Sequence, residues 1–204
     1  MRFIACSLVW LGALVAQSGP VPLTQGERDR ALSHLHATRK MFLDAVAGLT
    51  PAQWEFKPAP EVWSIAEVAE HITLSEDMLF EIATQRALKA PTEPLSDFAP
   101  RGFRDDEKLL AAVLDRSTKV KAPEALTPRR SFPTPADLIS EFKRRRDRTL
   151  EYVRTTEAAL RAHRFPHPVL GPLDAYQWLL LVSAHCERHI LQLNEVKQHP
   201  GFPK

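Results

Sequence analysis

Cysteine is nearly missing from this chain, with two in 204 residues, Cys6 and Cys186. Cys6 lies in the opening stretch "MRFIACSLVWLGALVAQSGP". One basic residue there, Arg2, precedes an apolar run over 3–16, and small residues close it. That is the pattern of a secretory signal peptide, 1–16, with cleavage expected after Ala16. A retained anchor or a buried first helix are the competing assignments, but a membrane span needs about 20 apolar residues. A lipoprotein is excluded because Cys6 precedes the apolar run instead of following it. With the leader removed, Cys186 is the one cysteine left and no internal disulfide can form. Stability must then come from a hydrophobic core, and a chain of this length can bury about 70% of its unfolded surface.

An excess of charge is missing too. There are 27 Lys and Arg against 25 Asp and Glu, and the leader takes Arg2 and no acid, so the formal +2 becomes +1. That balance excludes nucleic acid as a partner. No Val, Ile and Thr alternation persists for a strand length, and no internal repeat or low-complexity tract is present. Gly-rich phosphate loops, nucleophile elbows and paired-cysteine metal motifs are likewise lacking.

What the chain does have is helical periodicity. Leu32, Leu35, Phe42, Val46 and Leu49 recur at spacings of three, four and seven and predict a first helix over about 24–48. Thr50, Pro51 and Gln53 predict a short capped turn. A second long helix opens at "WSIAEVAEHI", where Ser64 caps and Glu67 reaches back, and runs to about Leu88. The proline-rich crossover that follows holds a shorter helix over about 105–117. Thr134 and Pro135 start the third long helix, expected to continue to about Ala162. "HRFPHPVLGP" breaks it, and the fourth follows Gly171, with Pro172 near its start, and ends before Pro200. The sum is an all-α domain over 24–204: a four-helix bundle with a long crossover between its second and third long helices.

The last helix carries "SAHCERHILQLNEVK". His185 and His189 are four residues apart, so they point one way, about 6 Å apart along the axis. Their stripe continues through Trp178, Leu181 and Val182 on one side and Leu193 and Val196 on the other. Those are core positions, and a buried polar group without a partner costs about 1–3 kcal/mol. A divalent metal would satisfy both imidazoles; a core histidine pair with ordinary hydrogen bonds is the plainer alternative. His71, three residues after Val68 and one before Ile72, edges the buried stripe of the second helix. Three histidines from two core helices suit a metal site that keeps one position open.

"WSIAEVAEHI" together with "HCERHILQLNEVKQHPGFPK" resembles the DinB/YfiT-like superfamily, over nearly the whole mature chain. The resemblance implies an up-down-down-up four-helix bundle, often a homodimer. It implies a divalent metal ion, zinc first and nickel, manganese or iron as alternatives, on His71, His185 and His189. It further implies a metal-dependent hydrolase or transferase acting on a small molecule that the sequence does not name. The alternatives are a helical bundle that binds metal or ligand without turnover, and a purely structural one. A related iron-dependent sulfoxide synthase domain has a glutamate two residues after its second paired histidine; Leu191 stands there in this chain, which disfavours that chemistry. The leader predicts a periplasmic or secreted protein, which weakens a reaction using cytosolic thiols.

Glu187 and Glu67 are candidates for orienting the ligand histidines, with capping as the competing role of Glu67. Gln192 is placed to help bind a water or substrate, with solvent exposure as the competing assignment, and Cys186 to act as a small buried apolar residue. "FKRRRDR" (142–148) is expected to form a solvated face with i,i+4 pairs. His34, His36, His163, His167 and His199 sit on loop or exposed-looking positions and carry no role.

Overall fold

The computed structural model describes residues 21–92, 105–117 and 119–204. The expected leader and residues 93–104 and 118 of the crossover lie outside those residues. Among the described residues there are six α-helices: α1 (Gln25–Val46), α2 (Pro51–Glu55), α3 (Ile65–Glu81), α4 (Asp106–Leu114), α5 (Pro135–Thr155) and α6 (Ala175–Lys197). Their starts are chemically marked. Thr24, Thr50, Ser64 and Asp174 each complete a capping box with the residue three further on, and Thr134 caps α5 ahead of Pro135. Such side chains satisfy amides that have no carbonyl one turn back. α3 continues through a π turn (Ile82–Arg86) and a 3₁₀ turn (Ala87–Lys89), which accounts for the expected extent to about Leu88.

α1 and α3 each pack against both α5 and α6. Cross-contacts give the directions. Phe42 meets Phe142 while Arg28 reaches the Val153 carbonyl, so α1 and α5 run antiparallel. Arg146 pairs with Glu76 and Phe80 meets Tyr152, so α3 and α5 run parallel. Tyr176 bonds the Glu27 carbonyl and Lys197 the Ala45 carbonyl, so α6 runs with α1. The result is the up-down-down-up bundle. The apolar residues of the stripe expected on α6, Trp178, Leu181, Val182, Leu193 and Val196, are all buried.

Three expectations need correction. α5 ends at Thr155, not near Ala162, because Thr156 turns extended and the Arg28 guanidinium takes the carbonyls of Val153 and Thr156. α4 stops at Leu114 instead of about Ser117. The stretch expected to break one helix and begin the next is a β-hairpin: β1 (Arg164–His167) pairs antiparallel with β2 (Gly171–Asp174), and α6 starts only at Ala175. Gly171 sits at φ +80°, a conformation open to glycine at little cost. Pro166 faces Pro172 across the pair, so the ribbon is two-stranded and forms no larger sheet.

The basic run on α5 also differs from expectation. Arg144 does pair with Glu141 at the surface, but Arg145 is mostly buried and reaches Asp77 and the Thr73 carbonyl of α3 as well as Glu141. Arg146, four residues after buried Phe142, belongs to the inward stripe and is fully buried. No helix among the described residues is long and apolar enough to cross a membrane.

Candidate metal centre

α3 and α6 lie side by side and bring His71, His185 and His189 together. One nitrogen from each ring lies within 4.8 Å of the other two. The ring centroids are 4.4 Å apart for His185 and His189, 4.5 Å for His71 and His189 and 5.0 Å for His71 and His185. His71 is buried, and the other two are half-buried.

Hydrogen bonds set the state of two rings. His71 Nδ1 lies 2.9 Å from the Leu126 carbonyl oxygen, which can only accept, so Nδ1 carries the proton. His189 Nδ1 donates in the same way to Gln192 Oε1 at 2.8 Å. Both Nε2 atoms are then bare lone pairs, and they face one another 3.2 Å apart. Two acceptors at that separation repel unless a cation lies between them. Tetrahedral zinc, with Zn–N bonds of about 2.0–2.1 Å, holds its nitrogens about 3.3 Å apart. The donor set therefore fits a divalent ion of that kind. His185 has no hydrogen-bond partner among the described residues, which leaves it free to turn a nitrogen toward the same point.

Charge works in the same direction. Burial keeps the His71 pKa below 6.5 against the pull of its Leu126 bond. Burial, then His71, depresses His189 to about 3. Burial, with His189 and His71 beside it, pushes His185 well below the usual value. All three are neutral at pH 7, the form that ligates metals.

The expected helpers separate. Gln192 is used, as the acceptor that orients His189 rather than as a substrate contact. Glu67 is taken by its cap on Ser64 and by Lys57. Glu187 makes no hydrogen bond to any of the three histidines. Cys186 is buried as expected, its thiol pushed up to about 12 by burial. His163 and His167 are half-buried, not exposed. His167 Nδ1 accepts the amides of Val169 and Leu170 and its ring lies 5.2 Å from Trp178, so it closes the hairpin turn.

Sequence reasoning missed Leu126 and Glu70. A main-chain carbonyl leaves no mark in sequence. Glu70, next to His71, accepts the amides of Arg129, Arg130 and Ser131, each at 3.0 Å, and the Ser131 hydroxyl at 2.7 Å. Burial opposes ionisation, but these donors outweigh it and hold the carboxyl below its ordinary value. Trp63 was noted only as part of the helix-start motif; its ring packs 5.0 Å from His71.

The comparisons with known proteins agree with this architecture. Residues 34–193 match the model of the DinB superfamily. The YuaE protein of Bacillus subtilis (strain 168), described as uncharacterized, is 30% identical over 155 residues, which cover 74% of this chain and 87% of that protein. Among solved structures, YfiT from Bacillus subtilis, described as a probable metal-dependent hydrolase with an unusual four-helix bundle topology, superposes with a TM-score of 0.55. That match is 16% identical and covers 95% of this chain and 97% of YfiT, so it speaks for the fold. With fold, histidine triad and family match in agreement, the chain belongs to the DinB superfamily.

Proposed function

We propose that this protein is an exported, metal-dependent hydrolase or transferase acting on a small molecule. One observation carries the metal: two Nε2 lone pairs directed at each other at 3.2 Å, with both Nδ1 atoms already donating. His71, His185 and His189 would hold the ion, zinc first and nickel, manganese or iron as alternatives. A divalent ion there supplies Lewis acidity and a water more acidic than bulk. The chain does the rest. Leu126 and Gln192 keep His71 and His189 in the tautomer that offers Nε2. The packed aliphatic stripe around the rings lowers the local dielectric, and Trp63 walls one side of His71. The description of YfiT as a probable metal-dependent hydrolase supports the reaction class. Export rests on the leader pattern, and a homodimer on the family resemblance.

A metal site without turnover is the second reading, and one observation favours it: the α3 carboxylates that precede His71, Glu70 and Glu67, are committed elsewhere. Glu70 is engaged by four donors and Glu67 by Ser64 and Lys57, so neither is free as a general base. The test is to load the purified, tag-free protein with each of the four metals and screen ester, amide and thiol-transfer substrates. Metal-dependent turnover that disappears in His185→Ala supports the enzyme. Stoichiometric metal without turnover of any substrate class supports the binding protein.

A further inference from the structure

His189 is oriented by a side chain on its own helix, three residues away. His71 is not: its acceptor, the Leu126 carbonyl, is 55 residues distant in sequence. Leu126 closes a 3₁₀ turn (Glu124–Leu126), with no other regular structure between it and α5 among the described residues. Something must hold that segment in register with α3, because an error of an ångström would remove the His71 bond.

Glu70 is placed to do it. It is buried, 4% exposed, and its carboxylate receives three successive amides and a hydroxyl from Arg129, Arg130 and Ser131. The amides converge because Arg130 is left-handed, at φ 59°, which folds the backbone into a concave cradle for an anion. The ion pairs of this segment are exposed: Arg129 pairs with Glu124 inside the segment and Arg130 with Glu55 of α2. Adjacent residues of α3 therefore contact the two parts of one loop: Glu70 its anchor and His71 its carbonyl.

We propose that Glu70 is a positioning residue for His71: by clamping the segment at 129–131 it sets the Leu126 carbonyl, which locks His71 with its proton on Nδ1 and its Nε2 free. The tautomer half stands without any metal. The affinity half rests on the metal reading above.

The experiment uses full-length, ¹⁵N-labelled protein, first treated with chelator. Long-range ¹H–¹⁵N spectra of the imidazoles report which His71 nitrogen is protonated. The parent is expected to show Nδ1–H. Glu70→Gln and Glu70→Ala are expected to show a mixture or Nε2–H, the state an unrestrained imidazole prefers. Glu70→Asp, which keeps the charge but withdraws it by one methylene, is expected to lie between and serves if the others fail to fold. Glu67→Gln loosens the same helix start without touching the loop and should leave His71 unchanged. Zinc affinity, read by chelator competition, should fall about 10–100-fold in Glu70→Gln, the range for loss of an outer partner of a metal ligand. Ser131→Ala, which keeps all three amides, should fall less. An unchanged His71 tautomer in folded Glu70 variants overturns the proposal. So does a parent without Nδ1–H, or an equal shift in Glu67→Gln. A parent that binds no zinc while Glu70→Gln still alters the tautomer refutes the metal reading and leaves the positioning role standing.

Discussion

Arg146 and Glu76 meet in a two-point ion pair, Nε to Oε2 at 2.8 Å and Nη2 to Oε1 at 2.5 Å, with side chains 0% and 1% exposed. The remaining guanidinium nitrogen donates to the Leu35 carbonyl and the Thr38 hydroxyl, so one side chain of α5 ties α3 and α1 together. Removing one charge from such a pair strands the other out of water, which costs about 3–5 kcal/mol. Glu76→Gln and Arg146→Met are each expected to lose about that much in urea denaturation. The double replacement Glu76→Leu with Arg146→Met should cost less than either alone, because no buried charge is left behind. A double variant as unstable as the sum of the singles would contradict this.

The three histidines should act as one unit. Ala at His71, His185 or His189 is expected to abolish metal binding, whereas His163→Ala and His199→Ala should leave it intact. Metal that binds only the folded state stabilises it by about 4 kcal/mol at a thousandfold excess over the dissociation constant. Chelator should therefore lower the melting temperature of the parent and barely move the three ligand variants. Elemental analysis and thermal melts of all six proteins, each with and without chelator, check this. A parent that takes up no metal and melts identically with chelator ends the metal hypothesis.

Acid should destabilise the metal-free protein. His71, His185, His189 and His167 all have folded pKa values below 6.5, His189 near 3 and His167 near 4. The unfolded chain takes up these protons near pH 6.5 and the folded chain does not. Their stabilising contribution is complete above 6.5 and is lost as the pH falls toward those folded values. Asp174 acts oppositely: burial raises it from 3.8 to about 6, so the folded state gains one proton first. Four groups against one leave a net loss, and each excess proton is worth about 1.4 kcal/mol per pH unit at most. Urea midpoints in chelator at pH 7, 6 and 5 should fall steadily, with a shallower fall in His189→Gln. A midpoint that does not move over that range would contradict the depressed histidines.

The native protein is expected to begin near Gln17 and to be found outside the cytoplasm. N-terminal sequencing of natively expressed protein is the measurement. Intact Met1 in a soluble cytosolic fraction would refute export.

Helix existence and type were legible because their causes are local. The capping boxes at Thr50 and Ser64, the Thr134 cap and the apolar stripes can be read within a few residues of each element. The His185–His189 pair was legible for the same reason, since a spacing of four fixes a shared helix face. His71 was joined to that pair by its place at the edge of the second helix's buried stripe and by the family resemblance, and the packing of α3 on α6 brings it there. What failed or was missed is non-local. α5 ends where a side chain from α1 takes its last carbonyls. The hairpin at 164–174 depends on cross-strand bonds between short proline-bearing segments, too short for a period to register. Arg146 sits in a basic run that reads as solvated, and Glu76, 70 residues away, with the Leu35 carbonyl and the Thr38 hydroxyl, makes its burial tolerable. Leu126 and Glu70 orient His71 through a main-chain carbonyl and main-chain amides, groups that every residue except proline carries alike. Sequence alone thus determined the helices, the caps at Thr50, Ser64 and Thr134 and the stripe on which the histidine pair lies. Tertiary packing decided which groups meet it, because a hydrogen bond or ion pair across the bundle depends on distance in space and not on position in the chain.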